Sequence, residues 1–549
     1  MPTALTRREL LAAFLGMPLA LQGCQSSSPR AIPPGELVGT SATIGHRIRD
    51  GLKISVADDR WENHKVVIVG GGIAGLSAAR RLKMSGIDDF VLIELEPEPG
   101  GTSRSGDSDV VPFPWGAHYV PAPTKENRAL VGLLDELNVF EGRDEYGDPV
   151  VAEQFLCRYP QERVFYRGHW YEGLYLHAGA TDDDLQQFGR FQQEINRWID
   201  WRDSRGLRAF AIPIATASDD TAVTELDKIT MSAWMRQHGF TSSRLRWYVD
   251  LACRDDYGMT IDQTSAWAGV FYFAARVPEV GRKSRPFITW PEGNGRLVSH
   301  MFDQVKQQSR LGLAVADVNP KLDRQDGSRV EITAVSADGN TAHGFRAEHV
   351  IFAAPHFLAR YLIRAYRENP PEHVAEFEYG SWMVANLRLR DRPRSEGFPL
   401  CWDNVFYESP SVGYVTATHQ RGMDYGPTIL TYYYPLCEDD HRAARRKLLS
   451  IGRDEWADIV LTDLQQAHPD IRDLTERLDV MRWGHAMIRP KPGFISGAAR
   501  TAAAKPFGNI HFAHSDLSGI ALFEEAFYRG TLAAEQVLES ASISYESIL

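Results

Sequence analysis

Cysteine is scarce in this chain. There are five among 549 residues, Cys24, Cys157, Cys253, Cys401 and Cys437, with no CxxC pair and no histidine cluster at zinc-ligand spacing. That pattern excludes the usual structural zinc sites. A chain this long buries enough surface to do without disulfide staples, so the four internal cysteines are expected as buried thiols. The G-x-S-x-G, H-E-x-x-H and P-loop patterns are all missing, which leaves hydrolase and nucleotide-triphosphatase readings without residues. Positive charge is not in excess either: 60 basic residues face 72 acidic ones, for a formal charge of −12 and a pI of about 5.8. No electrostatic footprint for a phosphate backbone exists, and nucleic acid is excluded as a partner. An acidic surface would concentrate cations such as polyamines, although plain solubility accounts for the same charge. There is no internal repeat and no apolar run long enough to span a bilayer as a helix.

The N-terminus reads as an address. Arg7 and Arg8 precede the apolar run Leu10 to Leu21, which is too short to span a membrane and resembles a twin-arginine export signal. The run ends in Leu21-Gln22-Gly23-Cys24, which resembles a lipobox with Cys24 as the lipidated residue. Residues 1–24 are therefore expected to be a signal. Residues 25–61 are expected to be a linker and N-terminal extension, because Gln25 to Gly35 is rich in Ser and Pro. The mature protein is expected on the periplasmic side of a bacterial membrane, held by a lipid anchor.

A dinucleotide fingerprint follows. Lys65 to Val69 is a β-branched apolar run, as a strand buried on both faces requires. It leads into Gly70-Gly71-Gly72-Ile73-Ala74-Gly75. In that loop Gly70 permits a tight turn, Gly72 lets backbone approach a pyrophosphate, and Gly75 allows close packing of the next helix. The amides of that helix, predicted over Ile73 to about Met84, would face phosphate. A second strand, Phe90 to Ile93, ends at Glu94, placed to accept hydrogen bonds from a ribose diol.

What comes next resembles the flavin amine oxidase, protoporphyrinogen oxidase and phytoene desaturase superfamily. Gly100-Gly101 lies where that superfamily has a second glycine pair, and Thr102-Ser103-Arg104-Ser105 is similar to its GGxSRS variant, which implies that Arg104 lies near the flavin and pyrophosphate. Phe113-Pro114-Trp115-Gly116-Ala117-His118 looks like its D-x-G-A-H segment, implying backbone of Gly116, Ala117 and His118 beside the isoalloxazine, with Pro114 in place of the aspartate. Trp290 to Leu297 is similar to its helix-opening Pro-x-Gly turn, Val318 to its adenine-contacting valine, and His349 to Pro355 to its return strand. Ile510 to Asp516 and Phe523 to Gly530 resemble its flavin-closing motif, with His514 and Ser515 replacing the usual Gly-Glu, so that Ser515 and Asp516 are the ribityl candidates. No cysteine in that motif could link a flavin covalently, and the linkage is left open.

The resemblance implies an α/β fold: a discontinuous Rossmann-like FAD-binding domain (62–130, 281–355 and 480–545) with an inserted α+β substrate domain (131–280 and 356–479). It implies FAD as cofactor, no metal, and a small-molecule substrate. Tyr379-Gly380-Ser381-Trp382-Met383-Val384 resembles the segment in which many amine oxidases carry a flavin-side lysine, and here that position is Val384. Trp483 and His485, in a segment similar to the family's flavin-facing W-x-x-A-x-P, are the catalytic candidates; a packed tryptophan and a satisfied histidine fit the same residues. Tyr432-Tyr433-Tyr434 could wall a site for a cationic amine or alternate as strand core. Amine or polyamine oxidation through hydride transfer to flavin N5 is the leading expectation. The alternatives are a dehydrogenase or desaturase of an apolar substrate with a non-oxygen acceptor, and a non-catalytic FAD-stabilised binding protein. Oligomeric state is left open.

Overall fold

The computed structural model describes residues 32–321 and 329–549. The proposed signal and Cys24 lie outside the described residues. Two sheets organise the chain. In the first, the parallel strands Trp61–Val69, Phe90–Ile93 and Ala342–Phe352 sit side by side, and Ile510–Phe512 joins the far side of Ala342–Phe352, also parallel. The antiparallel strands Leu313–Pro320 and Val330–Ser336 extend the same sheet. Val66 to Val69 and Phe90 to Ile93 are all buried, which is why both read as unbroken apolar runs. Helix Ile73–Met84 packs on this sheet and against helix Phe523–Ser540. The helices cross so closely that a Cβ at Gly530 would lie 2.0 Å from the Ala74 carbonyl oxygen.

The second sheet has eight strands, in the order Leu37–Gly39, Thr475–Ile488, Tyr379–Leu389, Thr428–Leu436, Tyr414–Thr416, Asp403–Phe406, Glu162–Tyr166 and His169–Glu172. Helices His441–Ser450 and Arg453–Gln465 cover one face, burying Leu448, Trp456 and Leu461 against Met383, Leu387 and Tyr432. On the other side stand helices Asp182–Asp200, Ser243–Tyr257 and Ala266–Ala274. Thr181 and Asp184 form a capping box at the start of the first of these, and Gly258, left-handed at φ 61°, ends the second.

Three expected boundaries move. The stretch from 131 to 151, expected in the substrate domain, buries Leu133, Leu134, Val139 and Val151 in the core of the dinucleotide-type sheet. Thr475–Ile488 is one continuous strand of the eight-stranded sheet and runs straight through the boundary expected between 479 and 480. The residues from Ile32 onward are not a free linker: Leu37–Gly39 pairs in parallel with Thr475–Ile488, and Ala42–Arg49 is a helix. Backbone pairing decides the first of these, since Leu478 and Val480 donate their amides to the carbonyls of Pro34 and Glu36. The four described cysteines are free, three of them buried. Among the described residues no helix is long and apolar enough to cross a membrane.

Candidate active site

The glycine loop separates residues that serve the chain from one that does not. Gly70 has φ 105°, and a Cβ there would meet the Ala353 carbonyl at 3.1 Å. A Cβ at Gly75 would fall 1.8 Å from the Gly70 oxygen, so this position is held by packing. Gly72 is different: its φ is −73° and an added Cβ would meet nothing within 4 Å. It borders open space at the start of helix Ile73–Met84, where it provides no side-chain cap. The first amides of that helix, Ile73, Ala74 and Gly75, have no partner inside it and present a positive dipole end to the same space. An anion fits there.

Glu94 closes the far side. Its Oε2 accepts the Gly71 amide at 2.6 Å and its Oε1 the Glu96 amide at 2.8 Å. Burial pushes this carboxyl up, against those two amides, and its remaining lone pairs are free to accept from a diol. Gly100 (φ 118°) bridges to Gly72 and donates its amide to the Gly71 oxygen at 2.8 Å; Gly101 (φ 57°) follows. Val318 does not join this group. Leu313 is the residue of its strand that bonds to the Glu94 carbonyl. Val318 lies five positions on, roughly 17 Å along an extended strand, fully buried and bridged to Ile363.

Downstream of the loop the backbone turns beneath the eight-stranded sheet. Ala117 donates its amide to the Thr102 carbonyl at 3.0 Å, and a Cβ on Gly116 would come within 2.3 Å of that oxygen. Three side chains of the sheet then take three consecutive carbonyls: Asn386 Nδ2 donates to Pro114 at 3.1 Å, Trp483 Nε1 to Trp115 at 2.7 Å, and the Tyr433 hydroxyl to Gly116 at 2.8 Å. His118 lies tilted against Tyr433, with ring centroids 4.9 Å apart, and burial brings its pKa down to about 4. Arg104 is buried with its guanidinium 5.3 Å from the Trp483 ring and 3.8 Å from Glu96.

This geometry gives several predicted residues different work. Trp483 spends its only donor on Trp115 and lies under Arg104, so it positions backbone. His485 lies flat on Phe357 at 4.0 Å, driven down to about 3 by burial, and is a packed neutral ring. Asp516 is already engaged: it accepts the Tyr379 hydroxyl at 2.5 Å and the His356 amide at 2.9 Å, with His514 Nδ1 at 2.9 Å. Burial alone would raise it, but His514, Tyr379 and the amide hold it below the usual carboxylate range. It anchors the closing motif. Ser515 is buried beside it. The tyrosine run alternates: Tyr432 donates to Asp463 at 2.7 Å and Tyr434 packs edge-on to Trp456 on the helix-covered face, while Tyr433 alone faces the glycine-loop side. Val384 is the register partner of Tyr433, buried with Trp115, Trp382 and Trp483.

Near Tyr433 lies a small, partly open pocket of about 20 Å³. Val412, whose amide donates to the Tyr433 carbonyl, is part of its wall. Its apolar lining is Leu174, Leu251, Ala252, Val405 and Val412; its polar lining is Asp255, Asp403, Tyr248 and Tyr272, with no basic residue. Burial raises Asp255 to about 7, aided by Asp256, and raises Asp403 well above its ordinary value, aided by Asp255 and Glu162. The neighbouring Asp256 is paired with Arg276 at 3.1 Å. Sequence reasoning missed both cavity acids. The one visible signal was Asp255-Asp256 inside a helix whose other face is core.

A family profile described as flavin containing amine oxidoreductase matches residues 73–538. A Mycobacterium tuberculosis protein named as the flavin-containing monoamine oxidase AofH is 27% identical over 294 residues, which are 53% of this chain and 56% of that one; the match thus spans about half the length of the curated relative. Among solved structures, a putrescine oxidase variant redesigned for cofactor binding superposes with a TM-score of 0.63 at 15% identity, covering 87% of this chain and all of the other. A fatty acid isomerase from P. acnes reaches 0.59 at 12% identity, covering 88% and 99%. At such identities the likeness is one of fold, and it spans amine and fatty-acid enzymes alike.

Proposed function

The chain belongs to the flavin-containing amine oxidoreductases, and on that premise we propose that it holds FAD in the glycine-loop cradle and oxidises an amine, whose positive charge the acidic pocket near Tyr433 favours. The residues suit that cofactor. Gly72 leaves room for a pyrophosphate, the Ile73 to Gly75 amides meet its charge, and Glu94 meets a ribose. Gly100, Gly101 and Arg104 continue the cradle toward the Gly116 to His118 backbone, which three sheet side chains hold in place. When bound, FAD supplies a two-electron acceptor for a C–H bond next to nitrogen, the resulting imine then hydrolysing to an aldehyde.

The observation that carries an amine, rather than a fatty acid or another apolar substrate, is the cavity lining. Its titratable groups are carboxyls and phenols without a balancing base, and a cation placed beside them would favour the ionised carboxyls. Anaerobic addition of a panel of amines to the flavin-loaded protein tests this. Bleaching of the flavin band by an amine is expected; bleaching by an apolar alkene or acid donor, and by no amine, would replace the reading. Flavin that no donor reduces would favour a binding protein.

A second reading concerns the electron acceptor. Val384 is fully apolar in its surroundings, at the place where the resemblance puts a lysine that assists reoxidation. A non-oxygen acceptor accords with that, and a hydrogen peroxide yield well below one per amine oxidised would support it. Export and lipidation belong to the same proposal: Arg7, Arg8 and Cys24 direct the protein outward and tether it through residues 25–31. A Cys24→Ala variant is expected to lose lipid label and leave the membrane fraction.

A further inference from the structure

We propose that one end of the eight-stranded sheet is a seat for the bilayer surface, which Tyr159, Met423 and Tyr425 press into the headgroup layer so that the anchored protein stands in one orientation; this rests on the lipid-anchor reading above. Strand direction defines that end. Strand Tyr379–Leu389 finishes where Thr428–Leu436 and Thr475–Ile488 begin, with Leu389 opposite both Thr428 and Thr475. Strand Tyr414–Thr416 also finishes there, and Asp403–Phe406, Glu162–Tyr166 and Leu37–Gly39 start there. The described chain therefore enters the fold at this end: the Leu478 amide bonds to the Pro34 carbonyl, and Ile32 packs on the same core as Phe398, Leu400 and Leu474. Cys24 lies eight residues before Ile32, a reach of at most about 28 Å.

Three loops build the surface. His419 Nε2 donates to the Arg158 carbonyl at 2.8 Å, which joins the loop before strand Thr428–Leu436 to the one before Glu162–Tyr166. Arg392 donates to the carbonyls of Met423 at 3.0 Å, Gly426 at 3.2 Å and Pro427 at 2.9 Å, and the Tyr159 ring stands edge-on to Phe398 with centroids 6.2 Å apart. An exposed apolar side chain standing alone is ordinary. Here the two most exposed large hydrophobic side chains among the described residues, Tyr159 at 73% and Tyr425 at 68%, share one end of the sheet with Met423 at 43%. Tyrosine suits the headgroup layer, because its ring meets the acyl boundary while its hydroxyl stays with water.

Charge decides which force does the holding. The whole chain stands at −12, and an anionic leaflet repels it. At this end the exposed Arg390 and Arg421 have no salt-bridge partner among the described residues, Arg394 pairs with Asp470 at 3.6 Å, and Asp391, Glu396 and Asp424 stand among them. With both signs present, the local charge offsets the repulsion without supplying the attachment, which falls to the two rings and Met423. A contact this small is weak for a free protein. The tether makes it intramolecular and so raises its effective concentration.

The test reads backbone amide exchange in the full, lipidated and flavin-loaded chain on vesicles of phosphatidylethanolamine and phosphatidylglycerol, with the Cys24→Ala protein in solution as reference. Residues 157–161, 391–398 and 419–426 are expected to exchange at least fivefold more slowly on vesicles, while 407–411 and 437–440, at the opposite end of the sheet, are unchanged. A protein carrying Tyr159→Ser, Met423→Ser and Tyr425→Ser together, altered only at exposed positions, is expected to stay in the membrane fraction, keep its flavin and lose that protection. Raising salt to about 0.5 M, which screens charge within a few ångströms, should leave the wild-type protection in place. Equal exchange on vesicles and in solution, or protection that survives the triple substitution or vanishes in salt, would overturn the seat and leave the anchor standing. Protection that appears without vesicles as protein concentration rises would give the surface to a second copy of the chain instead. Wild type that carries no lipid and stays out of the membrane fraction, as Cys24→Ala does, would overturn anchor and seat together.

Discussion

The hydroxyl of Tyr433 donates to the Gly116 carbonyl at 2.8 Å, across the junction between the two sheets. The same residue accepts the Val412 amide through its backbone and pairs with Val384 in register. One strand position thus touches the backbone that the family resemblance sets against a flavin, the wall of the acidic cavity, and the site where a lysine is replaced. The carbonyl row Pro114, Trp115, Gly116 is held from the eight-stranded sheet by one set of hydrogen bonds.

Removing the phenol oxygen alone separates these tasks. Tyr433→Phe keeps the ring against His118 and loses one part-buried hydrogen bond, while the Gly116 carbonyl keeps its contact with His118 Nδ1 at 3.2 Å, at a cost of about 0.5–1.5 kcal/mol. The variant is expected to retain flavin, to melt a few degrees lower, and to show a shifted flavin absorption band as the backbone relaxes. Unchanged absorption together with unchanged melting would mean that the bond does not hold the backbone.

The glycines make a sharper pair. A side chain at Gly72 clashes with nothing in the protein but fills the space in front of the helix amides, so Gly72→Val is expected to fold and to bind no flavin. Gly75→Val places a Cβ 1.8 Å from the Gly70 oxygen and is expected to yield little soluble protein. Flavin absorption and circular dichroism on both variants check this. Full flavin occupancy in Gly72→Val would move the cofactor elsewhere.

These cases mark what could be read without coordinates. Helix Ile73–Met84 and strand Phe90–Ile93 coincide with their expected limits, because local periodicity and glycine chemistry set them. The roles of Trp483 and Asp516 could not be read, because each is decided by a partner far away in sequence: Trp115 is 368 residues from Trp483, and Tyr379 is 137 from Asp516. Residues 32–60 looked like a linker for a related reason. Their order comes from pairing with Thr475–Ile488, and Ser and Pro content says nothing of an edge waiting over 400 residues downstream. Asp255 and Asp403 escaped because acids in isolation read as surface.

Two buried groups should make stability depend on pH in opposite directions. His468 is pressed down to about 3 by burial, its ring bonded to Tyr414 at 2.7 Å. A depressed folded pKa means that its contribution is complete above the unfolded value near 6.5 and is lost as pH falls toward 3, at about 1.4 kcal/mol per pH unit. The stability advantage of wild type over His468→Gln is therefore expected to shrink from pH 7 to pH 5. Asp255 is raised to about 7, so its ionisation burdens the fold as pH climbs from about 4 to 7. Asp255→Asn should gain on wild type over that range. Urea unfolding at four pH values measures both differences, and parallel curves for either variant would contradict the assigned shift.

The N-terminal segment should matter to cofactor retention. Glu96 accepts the Ser41 amide at 2.7 Å and the Ser41 hydroxyl at 3.1 Å, and the Glu96 amide in turn bonds to Glu94 Oε1. The turn that carries Glu94 is thus tied to Ser41, which joins the edge strand Leu37–Gly39 of the eight-stranded sheet to helix Ala42–Arg49. Protein beginning at Ile32 is expected to hold flavin as the full chain does. Protein beginning at Lys53 loses both ties, exposes the edge of Thr475–Ile488, and is expected to release flavin at least tenfold faster, measured by fluorescence of the freed cofactor. Ser41→Ala, which keeps the strand and the backbone bond but removes the hydroxyl bond, should fall between them. Identical release from all three proteins would show that the Glu94 turn holds its shape unaided, and would leave the segment a purely structural edge cover.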